Sequence, residues 1–297
     1  MTMTASSTAG RIAPRKAARP FGLRPGTLIL LAAPGMLLLA FFFLLPLAAV
    51  SVDAFAEGGR AFQRVFGNPL FWQGLAGSTV LTLVAATFSL LVGFAVALHL
   101  SRLSARTRGV LVFLIALPLT FSGLIVAYGF ILTYGRAGFV TQILAVVGVD
   151  PVAFSGILFS PIGLAFASSY YLIPRVVMLL LPVLLNFDRA QIAAAESLGA
   201  TRIRAIFDVL VPQVLPTAVT AFCLIAAVVF GAYGTALALV GTQLNILPLQ
   251  LYSLISETGS DFPAAAALSL VLTAICSCIM AVGEIAAARA EDSHAHA

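Results

Sequence analysis

Six apolar segments, near residues 28–52, 74–100, 110–134, 156–181, 213–240 and 263–288, are each long enough to cross a bilayer. At ~1.5 Å rise per residue, each covers the ~30 Å hydrocarbon core as a helix. The prediction is an all-α, polytopic membrane protein with six transmembrane helices. Composition agrees, since charged residues are 9% of the 297-residue chain and hydrophobic ones 61%. A soluble protein of this length would have too few polar residues to cover its cores, so the bilayer must be the solvent. The first segment carries Ala54-Phe55-Ala56, which resembles a signal cleavage site. Its apolar run exceeds twenty residues, whereas a signal core has roughly 7–15, so it is expected to stay and the chain to begin at or near Met1.

Orientation follows from the basic residues. With the N-terminus inside, the cytoplasmic face collects Arg11, Arg15, Lys16, Arg19, Arg24, Arg102, Arg106, Arg108, Arg189, Arg202, Arg204 and Arg289. The other face holds Arg60, Arg64 and Arg136, and Arg175 lies within span four. Twelve against three puts both termini in the cytoplasm. This distribution explains the net charge of +5 as membrane-face charge, with no nucleic-acid partner implied. Residues 1–26, rich in Ala, Thr, Ser, Pro and Arg, are expected to form a disordered basic cytoplasmic tail beside the lipid.

Residues 188–216 interrupt the apolar pattern with the polar stretch DRAQIAAAESLGATRIRAIFDVLVPQVLP. Ala193, Ala194, Ala195, Glu196 and Leu198 favour a helix, and Gly199 is a natural stop. Thr201 is placed to cap a second helix through Ile203, Ile206 and Phe207, with Pro212 and Pro216 at the start of the next span. A polar helix–Gly–helix segment between two spans must meet something in the cytoplasm. Its spacing resembles the EAA loop of ABC-importer permeases. Ala194, Ala195, Gly199, Val209, Val211 and Pro212 match that pattern, and Ala193 stands where the family usually has Glu. From about residue 74 to 285 the chain is similar to type I, binding-protein-dependent permeases. The A-Y-G-T of residues 232–235 and the L-P-L-Q-L-Y-S-L-I-S of residues 247–256 are similar to the spermidine/putrescine-like group.

The resemblance implies a permease core over 74–288 containing five helices, with a coupling loop at 188–211. It would follow a first transmembrane helix and outer loop at 27–73 and precede a cytoplasmic tail at 289–297. It also implies a bacterial inner-membrane location and a small solute, polyamine-like or 2-aminoalkylphosphonate-like. The implied partners are separate ABC ATPase subunits, a second and different permease, and a periplasmic or extracellular solute-binding protein. Carried over residue by residue, Ala194, Ala195 and Gly199 would make the bend that meets the ATPase, with Leu198 and Ala200 as close contacts. Glu196 or Asp188 would substitute for the Glu missing at position 193.

The rest of the chain narrows the alternatives. Its sole lysine is Lys16, so no G-x-x-x-x-G-K-[ST] phosphate loop exists, and no enzyme or cofactor is expected. ATP would be bound by the partner. Of the ionisable groups, only Arg175 and Glu284 lie well within spans, with His99 at an end. Proton- or sodium-coupled carriers keep acids or histidines near the midplane, which argues against a secondary carrier. A channel or membrane scaffold would not need the 188–216 loop. Cys223, Cys276 and Cys278 sit in apolar runs without nearby His or acid, so no metal is expected.

Two polar clusters remain as candidate pathway linings: Ser168-Ser169-Tyr170-Tyr171 in span four, and Phe230 with Tyr233 in span five. Their hydroxyls could equally bond their own or neighbouring helices. Both readings stand at this point. Residues 139–149 read as a short helix at the outer interface, serving either packing or the docking of a binding protein, and residues 241–262 as a short outer-side helix after Pro248.

Overall fold

A computed structural model describes residues 25–241, 243–256 and 261–295, and every element among them is helical. The tail expected over 1–26 lies, as far as residue 24, outside the described residues. Six apolar helical stretches are long enough to cross a membrane: Leu31–Phe55, Pro69–Leu100, Gly123–Val146, Pro161–Asn186, Arg202–Phe230 and Phe262–Arg289. Five match the expected spans to within a turn or a few turns, and the third is displaced.

The chain divides into two units, one ending at Ala49 and the other beginning at Val50. The first holds α1 (Pro25–Leu39), a π-helical turn at Ala40–Leu44 and the start of α2 (Leu45–Phe55). The widened turn ends two residues before Pro46, whose missing N–H cannot continue an α-register. Phe41, Phe42 and Phe43 are exposed there, as suits a lipid-facing surface.

In the second unit, α3 (Arg60–Gly67) leads into the long α4 (Pro69–Leu100), whose start is capped by Asn68 Oδ1 accepting from Leu70 N at 2.9 Å. The same cap-then-proline device opens α8 (Pro151–Leu158) behind Asp150 and α9 (Pro161–Asn186) behind Ser160. Between them lie α5 (Ala105–Ala116), α6 (Gly123–Tyr134) and α7 (Phe139–Val146). After α9 come α10 (Ala190–Ser197), α11 (Arg202–Ala205), a π turn at Ile206–Leu210 and α12 (Val211–Phe230). The chain closes with α13 (Gly234–Val240), α14 (Leu247–Ser256) and α15 (Phe262–Ala295).

The expected continuous span at 110–134 is therefore broken. A tight turn at Leu117–Thr120 contains Pro118, Phe121 is extended, and Ser122 caps α6 by accepting from Ile125 N at 3.4 Å. Proline and a fresh N-cap restart the helix, and the apolar stretch runs on through α7 to Val146. Span five is likewise shorter at its far end, because α12 stops at Phe230 before Gly231. At its near end it begins earlier, since α11, the π turn and α12 form one helical run from Arg202. This second π turn also ends two residues before a proline, Pro212. The segment expected as a cytoplasmic tail continues α15 as helix to Ala295.

The core is built where α4, α9 and α12 pack together, with α15 against α12. Ala85, Ala86 and Ala97 of α4 meet Leu172, Val176, Val177 and Leu180 of α9, all buried. Small residues matter here, because lipid tails are as apolar as leucine and helices associate by close packing instead. A second cluster joins Ala61 and Val65 of α3 to Phe71, Leu247, Ala264 and Leu268 at the opposite end from α10. Leu247 N donates to the buried Ser78 Oγ at 3.0 Å, tying α14 to α4.

Arg64 clamps that end. Its Nε donates to Asp261 Oδ2 at 2.8 Å and its Nη1 to Glu57 Oε2 at 2.5 Å. The Arg64 hydrogen bond holds the Asp261 carboxyl below its ordinary value, helped by Ala264 N donating to Oδ1 at 3.0 Å. A depressed carboxylate pKa stabilises the fold above the unfolded value and ceases to do so as pH falls through the folded one. Asp261→Asn should cost ~0.5–1 kcal/mol at pH 7, as befits a part-exposed pair. Thermal unfolding in detergent should show this gap closing below the carboxylate range. A gap that persists in strong acid would mean the clamp works through shape and not charge.

Candidate functional site

The loop after α9 folds as helix, left-handed bend, helix. Asp188 Oδ1 accepts from Ala190 N at 2.9 Å, supplying a negative charge where α10 starts. α10 ends in a Schellman arrangement: Ala200 N donates to Ala195 O at 3.1 Å, and Gly199 N to Glu196 O at 3.0 Å. Gly199 carries the left-handed conformation that this closure needs, with φ +93°. Thr201 then caps α11, its Oγ1 accepting from Arg204 N at 3.4 Å. These are the bend and cap that the sequence indicated.

Two further contacts hold the loop to the bundle. Arg189 Nη2 donates to Ser101 O at 3.0 Å, reaching the end of α4, and Gln213 Nε2 of α12 donates to Gln191 Oε1 of α10 at 2.6 Å. Between loop and helices lies a cavity of about 320 Å³, lined by Arg102, Arg189, Arg202, Ile192, Ala193 and Glu196 among others. Ala193, where the resembled family has Glu, therefore lines a cavity together with three arginines. Glu196 is the acid present on that wall, and Asp188 serves the helix start, so the two candidate substitutes take different parts.

Three large apolar side chains of the loop are exposed. Leu198 is 90% exposed, Ile203 71% and Phe207 64%. Ala194 and Gly199 are also exposed, and Ala195 and Ala200 half-buried. Sequence reading singled out Leu198 but passed over Ile203 and Phe207 as contacts. The available signal was their i, i+4 spacing within an otherwise polar stretch, which puts both on one helical face.

The candidate pathway residues separate. Ser168, Ser169, Tyr171 and Phe230 are buried within the chain, whereas Tyr170 and Tyr233 are exposed. Ser169 Oγ donates to Ala165 O at 2.9 Å, the local backbone bond weighed above, and Ser168 Oγ has no partner among the described residues. Tyr170 borders a cavity of about 480 Å³ between α6 and α9, with Phe130 and Phe166 stacked edge-on around it. Tyr233 lies 5.4 Å from the Tyr252 ring. No group of three or more His, Cys, Asp or Glu side chains placed to hold a metal occurs among the described residues.

Residues 89–292, about two thirds of the chain, match the family described as "Binding-protein-dependent transport system inner membrane component". The chain belongs to this family of inner-membrane transport components. As a binding-protein-dependent transport component it is a multi-pass permease subunit of an ABC importer, not an enzyme. Its curated relatives include the spermidine/putrescine transport system permease protein PotB of Escherichia coli (strain K12), 26% identical over 72% of this chain and 78% of that protein. The sulfate transport system permease protein CysW of Synechocystis sp. is 25% identical over 84% and 90%. Sulfate permease 2, chloroplastic, of Chlamydomonas reinhardtii is 29% identical over 58% of this chain, and the match spans 45% of that longer protein. Among solved structures, a chain of a bacterial alginate ABC transporter, crystallised with an alginate pentasaccharide-bound periplasmic protein, superposes with TM-score 0.71. It is 19% identical and covers 87% of this chain and 92% of its own, which establishes the shared fold.

Proposed function

We propose that this transport component forms one half of an ATP-driven solute path and is coupled to separate ATPase subunits through residues 188–211. The observation that carries the reading is the exposure of the apolar side chains Leu198, Ile203 and Phe207 on a loop braced by Arg189 and Gln191. A stiff, braced loop with an apolar tip transmits motion, where a slack linker would absorb it. Ala194, Ala195, Glu196, Leu198, Gly199 and Ala200 are the proposed contact region, and ATP belongs to the partner. The loop and both termini are placed in the cytoplasm on the twelve-to-three distribution of basic residues. The permease core is taken as 74–288. A second, different permease completes the path, and a periplasmic or extracellular binding protein delivers a small solute, polyamine-like or 2-aminoalkylphosphonate-like. Tyr170 and Tyr233 are the pathway candidates best exposed to it.

Single thiols introduced at positions 196–200 test the coupling role. With the co-expressed ATPase, Leu198→Cys should crosslink efficiently and in an ATP-sensitive manner. The absence of any ATP-sensitive crosslink along the loop would sink the proposal.

A further inference from the structure

Among the described residues Arg175 has no counter-ion. The ion pairs among the described residues are Arg64 with Glu57, Arg64 with Asp261, and Arg204 with Asp208. Arg175 takes part in none of them. Its Nη1 donates to Tyr171 O at 2.7 Å, and its guanidinium lies 5.5 Å from the centre of the Tyr171 ring. It is the fifteenth residue of the 26-residue α9, ~21 Å from the helix start and ~16 Å from its end. Arginines near helix ends usually extend toward the nearer interface. Arg175 does the reverse, folding back one turn toward the middle of the span.

A guanidinium held at that depth is costly against hydrocarbon and is found instead facing a bundle interior, a partner or a water-filled cavity. α9 is also the most buried of the six apolar stretches, with 67% of its window inside the protein. On the side of α9 that carries Arg175, the open strip consists of Met178 and Pro182, three and seven residues on, while Leu172, Val176, Val177 and Leu180 are fully buried on its other sides. Arg175 is half-buried beside this strip. The charge therefore assigns the strip to water, not lipid. No carboxylate is within ion-pair distance of it among the described residues.

We propose that Arg175 is the solute-facing cation of this half of the path and selects solutes that carry an oxyanion group over polycations. This rests on the reading that the chain lines a solute path. A planar guanidinium offers paired donors that match a phosphonate, sulfate or carboxylate, and it repels a polyamine by charge. Of the two solute classes proposed above, it favours the phosphonate-like one.

The test uses a thiol at position 178, one turn from Arg175 on the open strip, with Cys223, Cys276 and Cys278 replaced by Ala. In right-side-out and inside-out vesicles holding the assembled transporter, Met178→Cys is treated with anionic sulfonatoethyl or cationic trimethylammonioethyl methanethiosulfonate. The ratio of anionic to cationic reaction rates should fall about tenfold on Arg175→Gln, the size expected of one charge at roughly 6–7 Å in a wet site. Arg175→Lys should keep the ratio within about twofold of the parent, since it keeps the charge. No reaction from either side would overturn the proposal, because the strip would then face lipid or protein. An unchanged ratio on Arg175→Gln would overturn it too, because a partner carboxylate would already cancel the charge. The ATPase crosslink at position 198 reads the coupling assignment independently, so either idea can fail alone.

Discussion

Gly199→Val is expected to abolish uptake while the protein still reaches the membrane in normal amount. The reason is conformational and not steric. A Cβ at Gly199 would meet nothing within 4 Å, so space is available for any side chain. The obstacle is φ +93°, which a β-branched residue adopts only at a cost of ~1–2 kcal/mol. That cost shifts the population of the correctly bent loop by roughly 5–30-fold. It also breaks the Schellman bonds from Gly199 N and Ala200 N, so α11 leaves in a different direction. Because Gly199 is exposed and a Cβ there touches nothing in the core of α4, α9 and α12, the global fold should survive. Asparagine tolerates left-handed backbone, so Gly199→Asn should keep much of the activity. The expected order of uptake is Gly, Asn, Ala, Val. Equal activity of the Asn and Val variants at equal expression would show that the bend is not what matters.

That bend was legible because it depends on local chemistry: a glycine after a run of helix formers and a threonine two residues on. The break at 117–122 has local signals as well, Pro118 and Ser122, but hydropathy runs smoothly across both and masks them. The apolar stretch was therefore drawn through it. The pathway cluster could not be resolved for a geometric reason. Four consecutive helical residues point about 100° apart, so Ser168, Ser169, Tyr170 and Tyr171 cannot share one face. Only Tyr170 reaches the open side. Which face of α9 is open depends on packing against α4 and α12, far away in sequence. The same applies to Arg175, since its lack of a counter-ion among the described residues is a property of three-dimensional neighbours. Ala193 shows the intermediate case. Its departure from the family pattern was visible, but the three arginines around its cavity come from the end of α4, the start of α10 and α11.

Gly93→Val should do the opposite of Gly199→Val and remove the protein itself. Gly93 packs directly against α9, where a Cβ would lie 2.6 Å from Val176 Cγ1 and 2.7 Å from its Cβ. The Ile173 carbonyl oxygen, 3.3 Å away, closes the other side. Val176 cannot swing aside, because it is fully buried among Leu172, Val177 and Leu180. The helices must separate, and overpacking of this kind costs ~1–3 kcal/mol or more. In a membrane that loss is not recovered by hydrophobic pressure, since the driving force here is close packing itself. Gly93→Val should therefore give little monodisperse protein on detergent extraction and a lower Tm, with uptake lost in proportion to yield. Gly93→Ala should be milder, and combining it with Val176→Gly should recover part of its loss by moving the gap to the other helix. Such non-additivity is the mark of two residues in direct contact. Wild-type yield and Tm for Gly93→Val would mean that α4 and α9 are not pressed together at this point, and the core described above would need to be redrawn.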